Sequence, residues 1–216
     1  MEFRLTYEGP LMGSSATNPR AKHKHELRKV FHKQLRRLWE VNPMLANWLA
    51  FADPPEPKLD WENLDLKKSM AESLAAHPKR SEELADQYKR CGYRFVPLVI
   101  PELRFLCGIE VLFLRPAVPG GVMRSADLDN RLKTLFDALR MPQSVPELGG
   151  YDEPSEDENP FFVLTSDDSL ITHVSIETDM LLEPLPNKEM IDDHDARLVI
   201  TVTVSPYTRL LTTMGF

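Results

Sequence analysis

The chain has 216 residues, 42% hydrophobic and 27% charged, with a formal net charge of −7. That length and apolar fraction support one substantial core, so a single domain over residues 1–216, enlarged by insertions, is expected. No apolar run is long enough to span a bilayer, and residues 1–7 lack the charged-then-apolar form of a signal peptide, so the expectation is a soluble, cytoplasmic protein with no membrane partner.

In chain order, residues 3–7 alternate as a strand does, and Gly9, Pro10, Gly13, Ser14, Ser15, Asn18 and Pro19 mark a loop. Between Asn18 and Glu40 eight basic residues stand against Glu26 and Glu40, about +6 for this segment and about −13 for the remainder. A helix over residues 21–40 would turn Leu27, Val30, Phe31, Leu35, Leu38 and Trp39 to the core. Arg28, Lys29, Lys33, Arg36 and Arg37 would then form either a plain solvated face or a DNA-phosphate contact. The excess of acid over base in the whole chain counts against nucleic acid; the basic stripe counts for it. His23 and His25, two apart, would not share a helical face and read as solvent or phosphate contacts.

Asn42 and Pro43 break the helix, residues 53–57 read as a stiff proline-rich connector, and residues 61–88 carry helical periodicity interrupted at His77 and Pro78. The block 44–90 is therefore expected to be a helical insertion. Residues 93–100 and 103–114, rich in β-branched and aromatic side chains, read as two strands separated by Pro101. Cys91 and Cys107, the only cysteines, adjoin apolar stretches without a CxxC partner and read as small buried hydrophobes rather than a disulfide or zinc site.

A helix opening with Asp127 as its N-cap places Leu128, Leu132, Leu135, Phe136 and Leu139 on an apolar stripe, with Asp129, Lys133 and Asp137 on the neighbouring polar one. Residues 141–160 read as a solvated acidic loop, residues 161–164 as a strand leading to Asp167 and Asp168, and residues 170–182 and 197–205 as further strands. Asp192, Asp193, His194 and Asp195 crowd together and read as a hairpin loop; His173 is unassigned. Strands and helices mixed in this order imply an α/β (mixed α+β) sheet with helices packed on it.

The carboxylate pair followed by a lysine suits phosphodiester chemistry. A Mg²⁺ ion takes hard oxygen ligands that leave positions open for water and substrate, and a lysine adds a point charge for a phosphate oxygen or leaving alkoxide. A bland alternative uses the same residues as a helix cap and a surface ion pair. There is no P-loop, GxGxxG or GxSxG, so nucleotide-driven, dinucleotide-dependent and α/β-hydrolase chemistries have no support.

From about Cys107 to Val204 the sequence resembles the RusA-type Holliday junction resolvases. The matching residues are the segment 108–115, then Asp127, Leu128, Asp129 and Asn130, then Lys133, Asp137, Ala138 and Leu139, and finally Asp167 and Asp168. The resemblance implies a RusA-like mixed β-sheet with packed helices. It implies a Mg²⁺- or Mn²⁺-dependent endonuclease that acts as a homodimer on branched DNA such as a four-way junction, in DNA recombination and repair. Asp127, Asp129, Lys133 and Asp168 correspond to the catalytic set, with Asp127, Asp129 and Asp168 as metal ligands and Asn130, Asp137 and Asp167 in support. Family members are typically much shorter and place a basic run directly before the motif, where this chain offers only Arg124 for DNA. A non-catalytic binding module on the same fold, and a nuclease for single strands, flaps or RNA, are the competing expectations.

Overall fold

In the computed structural model, which describes residues 1–15, 20–48, 79–117 and 126–207 apart from the side chains of Ala126 and Asp127, the alternating segments become strands with one buried face. β1 (Glu2–Pro10) buries Leu5 and Tyr7. α1 (Ala21–Val41) follows, then a single turn, α2 (Pro43–Ala46). Asn42 starts that turn by accepting from the amides of Met44 and Leu45, with Pro43 at a position whose missing N–H costs nothing.

α3 (Arg80–Gln87) and the short β2 (Lys89–Arg90) lead into β3 (Tyr93–Val99). The insertion expected over 44–90 has its described ends in α2 and α3; residues 49–78 lie outside the described residues. β4 (Phe105–Arg115) alternates strictly, burying Phe105, Cys107, Ile109, Val111 and Phe113. Then come α4 (Ala126–Leu139), β5 (Phe161–Thr165), β6 (Ile171–Met180) and β7 (Asp195–Pro206). Ala126 is already helical, so Asp127 lies inside the first turn of α4 and not at its N-cap as expected.

Two mixed sheets result. One is four-stranded in the order β1-β7-β4-β6; the other is three-stranded in the order β2-β3-β5. β7 is antiparallel to both β1 and β4, whereas β6 runs parallel to β4 and β5 parallel to β3. A parallel return needs a crossover, and the chain from β4 to β6 supplies one through α4 and β5. The hairpin expected at Asp192–Asp195 is corrected by this order, because β6 and β7 are not neighbours. Asp195 instead opens β7, fully buried, taking Lys188 at 2.5 Å and the Asp192 amide at 2.9 Å.

The main core lies between the four-stranded sheet and the helices, joining Leu5, Ile109 and Ile200 to Leu27, Phe31 and Leu35 of α1 and to Leu128, Leu135 and Leu139 of α4. The architecture is mixed α+β. Among the described residues no helix is long and apolar enough to cross a membrane.

A candidate active-site cleft on the fourth helix

Beside α4 opens a cleft of about 510 Å³ lined by Ser14, Lys24, Asn130, Lys133, Asp137 and Asp168, among others. Three separate parts of the chain are brought to it. Residues 11–15 lie along α4 because the Ser14 amide donates to the Asn130 carbonyl at 3.1 Å and Thr134 Oγ1 donates to the Met12 carbonyl at 3.0 Å. Gly13 permits this approach: a Cβ there would stand 2.9 Å from the Asn130 Cβ.

Asp168 arrives from the far side of the crossover. It opens a 3-10 turn, Asp168–Leu170, whose N-cap is Asp167; the Asp167 carboxylate accepts from the Ser169 amide at 3.0 Å. Hydrogen bonding from Ser169, and secondarily the charge of Arg140, holds the Asp167 carboxyl below the usual range despite partial burial. The pair thus divides its tasks. Asp167 is used up in shaping the turn, and Asp168 presents an exposed carboxylate with Arg140 Nε 4.0 Å away.

On α4 itself, Asp129 Oδ2 and Lys133 Nζ meet at 3.1 Å, the i, i+4 pair expected from the spacing, with both side chains mostly in solvent. One turn further, Asp137 is held by Lys24 at 2.6 Å and by Arg140 at 3.0 Å, and Arg140 also reaches Glu147 at 3.1 Å. Beneath them Arg28, 1% exposed, donates from Nη2 to the Asp137 carbonyl at 2.7 Å and from Nε to the Arg140 carbonyl at 3.2 Å. These are carbonyls that the end of a helix leaves unsatisfied, and a cation there also meets the negative end of the helix dipole. Burial lowers the Arg28 guanidinium to about 10, so it stays charged at neutral pH.

The position of Arg28 corrects the expectation of a solvated, DNA-facing residue. Lys29 is likewise engaged, with Glu158 at 2.7 Å and with its ammonium 4.2 Å over the Tyr151 ring. Arg36 and Arg37 are exposed but both meet Glu40, at 3.4 and 3.1 Å, and Lys33 is exposed with no ion pair among the described residues. Val30, expected in the core, is 38% exposed.

His23 and His25 are both buried, not solvent contacts. His23 Nε2 accepts from the Met12 amide at 3.2 Å, and His25 stacks on Tyr151 with centroids 4.9 Å apart. The acidic loop is not fully solvated either. Glu158 is buried in a reciprocal cap with Ser155, and the Asp157 carbonyl lies 2.9 Å from His32 Nε2. Cys107 is buried, as expected of a small hydrophobe, and Cys91 is only partly so.

The structure therefore brings Asn130, Lys133, Asp137 and Asp168 to one cleft and sets Asp129 against Lys133 at its rim. It adds Lys24 and Ser14 to the lining and Arg140 as a neighbour of Asp137 and Asp168, none of which sequence reasoning singled out as site residues. The Asp127 side chain and Arg124 lie outside the described residues. Among the described residues no group of three His, Cys, Asp or Glu side chains is gathered for a metal ion. The donor chemistry nonetheless fits Mg²⁺: Asp129 and Asp168 are exposed carboxylates, and this ion is commonly held by one or two carboxylates with water and substrate phosphate completing the shell. Compared with protein-family models, curated proteins and solved structures, the chain finds no match in any of the three.

Proposed function

We propose that this protein is a divalent-metal-dependent, structure-selective DNA endonuclease of RusA type, acting on branched DNA such as a four-way junction. The observation that carries the reading is the meeting of Lys133 and Asp168, two of the four residues that the resemblance assigns to the reaction, in one cleft from two separate elements, with Asn130 of the motif beside them. A surface ion pair at Asp129 and Lys133 needs no distant aspartate beside it.

In this reading Asp168 and Asp129, with Asp127, hold Mg²⁺ or Mn²⁺, which when bound lowers the pKa of water and offsets phosphate charge. Lys133 offers its ammonium to a phosphate oxygen or to the leaving alkoxide, where charge develops. Asn130 supports the opening of the helix, and Arg140, engaged with Asp137 and Glu147, sets the orientation of Asp168. Lys24 gives the cleft a second cation, which suits a polyanion better than the overall charge of −7 does. Two related strands of a junction require two equivalent sites, so the working form is a homodimer.

The test is incubation of the purified protein with labelled four-way junction, duplex, flap and single-stranded DNA in Mg²⁺, Mn²⁺ or EDTA. Metal-dependent cutting of the junction, lost in Asp168→Asn with the fold retained, is the expected outcome. Binding without cutting in every metal would replace the reading with a non-catalytic DNA-binding module.

A further inference from the structure

We propose that a second copy of this chain pairs with the outer edge of β6, antiparallel and with Ser175 on the two-fold axis, joining two four-stranded sheets into one. The two edges of that sheet are managed differently. At β1, Gln34 from α1 covers the outward backbone of Thr6, accepting from its amide at 2.9 Å and donating to its carbonyl at 2.7 Å. Among the described residues no strand or side chain bonds the outward backbone of β6 between His173 and Thr178. The strand also has neither the proline nor the lysine that commonly blunts an edge.

The order of side chains in β6 selects the occupant. Outward from Ser175, Val174 matches Ile176 and His173 matches Glu177. An antiparallel copy centred on Ser175 therefore sets a β-branched residue against a β-branched residue on the core-side face, twice. On the other face it sets an imidazole N–H against a carboxylate, also twice. Val174, 44% exposed in the single chain, gains a partner. The two-fold keeps each side chain on its own face, so the competing registers are slips of two residues: centring on Val174 sets His173 against Ser175 and loses both matches, and centring on Ile176 sets His173 against Asp179 and moves the two Ser175 positions out of disulfide reach, which the cross-link below tells apart.

This inference goes beyond the nuclease reading and does not rest on it. Where both hold, the two clefts lie on opposite sides of the axis. Asp168 precedes β6 in each copy, and the two Ile171 positions stand about 27 Å apart along the strands.

The experiment uses the full chain. Sedimentation equilibrium should show a monomer–dimer equilibrium. Oxidised Ser175→Cys should cross-link to a covalent dimer, because residues directly opposite in an antiparallel pair have Cα atoms about 4.5–5.5 Å apart, within disulfide reach. Asp179→Cys, also exposed but about 27 Å from its own copy, should not cross-link. His173→Glu should weaken association at least tenfold by opposing two carboxylates, and adding Glu177→His should restore it. A wild-type chain that stays monomeric, a dimer that Ser175→Cys fails to lock, or an association indifferent to His173→Glu each overturns the proposal. A chain that cuts no DNA yet locks through Ser175→Cys supports the pairing and sinks only the nuclease reading.

Discussion

At Lys133 and Asp129 an ion pair of 3.1 Å stands with 63% and 68% of its side chains in solvent, whereas one turn along the same helix Asp137, 25% exposed, is held by Lys24 and Arg140. Both are aspartates of one polar stripe with a cation one turn further on, Lys133 for Asp129 and Arg140 for Asp137. What differs is the surrounding structure: the C-terminal end of α4 is seated on α1 by Arg28, and the Asp129 and Lys133 side chains are exposed among the described residues. Charges fixed by neighbours on every side hold the helix in place, while charges left to solvent are free to exchange water for a ligand. The cleft thus has a rigid end and a reactive end.

The largest effect expected from breaking this contrast lies at the rigid end. Arg28→Ala strips the cation from two helix-end carbonyls and leaves a void, so urea unfolding should show a loss of about 3 kcal/mol or more. Arg28→Lys should recover only part of it, since one ammonium cannot reproduce a planar fork reaching the carbonyls and His25 Nδ1 at 3.1 Å. A variant within about 0.5 kcal/mol of wild type, the range of an ordinary surface change, would mean that Arg28 does not anchor the helix.

Next comes acid sensitivity at the same end. Burial, reinforced by Arg28 and Lys29 and opposed by Glu158, lowers His25 to about 4. Between the ordinary histidine value and that point the unfolded chain binds a proton that the folded chain refuses. Stability is therefore fully present above about pH 6.5 and lost as pH falls toward 4, by roughly 3 kcal/mol from this group. His23 and His32, lowered chiefly by burial, add in the same direction. Unfolding free energy measured across pH 4–7 should show this slope, and His25→Phe should flatten it; an unchanged slope would remove His25 as its source.

At the reactive end the effects move from stability to rate. Lys133→Ala should slow single-turnover junction cleavage by on the order of a hundredfold, the usual consequence of losing one preorganised electrostatic contact. A wild-type rate would return Lys133 to a surface ion pair. The smallest effect is the stability change of that same variant, about 0 to 1 kcal/mol, as for exposed pairs generally. A loss as large as that of Arg28→Ala would erase the distinction between the two ends.

Much of the frame was legible in the residues because its signal is local. The alternation of β4 and the leucine stripe of α4 depend only on period, and both appear where the pattern puts them. Arg28 was misread although a signal existed: His25, Arg28, His32, Leu35 and Trp39 follow a three-four spacing, and all are buried. The convergence of Lys24 and Asp168 on α4 was not readable from period at all, because it depends on how the crossover folds back. The partners of Glu158 and Tyr151 likewise lie on a helix far earlier in the chain.

The placing of β7 between β1 and β4 has a consequence for how the molecule is made. The amino group of Met1 donates to the Val204 carbonyl at 2.8 Å across a sequence separation of 203 residues. Chain synthesis delivers β1 early and β4 midway, yet the strand that joins them comes only with residues 195–206. Until then both inner edges stand unpaired, and closing the sheet joins residues as far as 203 apart in sequence. Such non-local pairing folds slowly and leaves partly formed sheets open to aggregation, so the demand on chaperones lasts until β7 has been made.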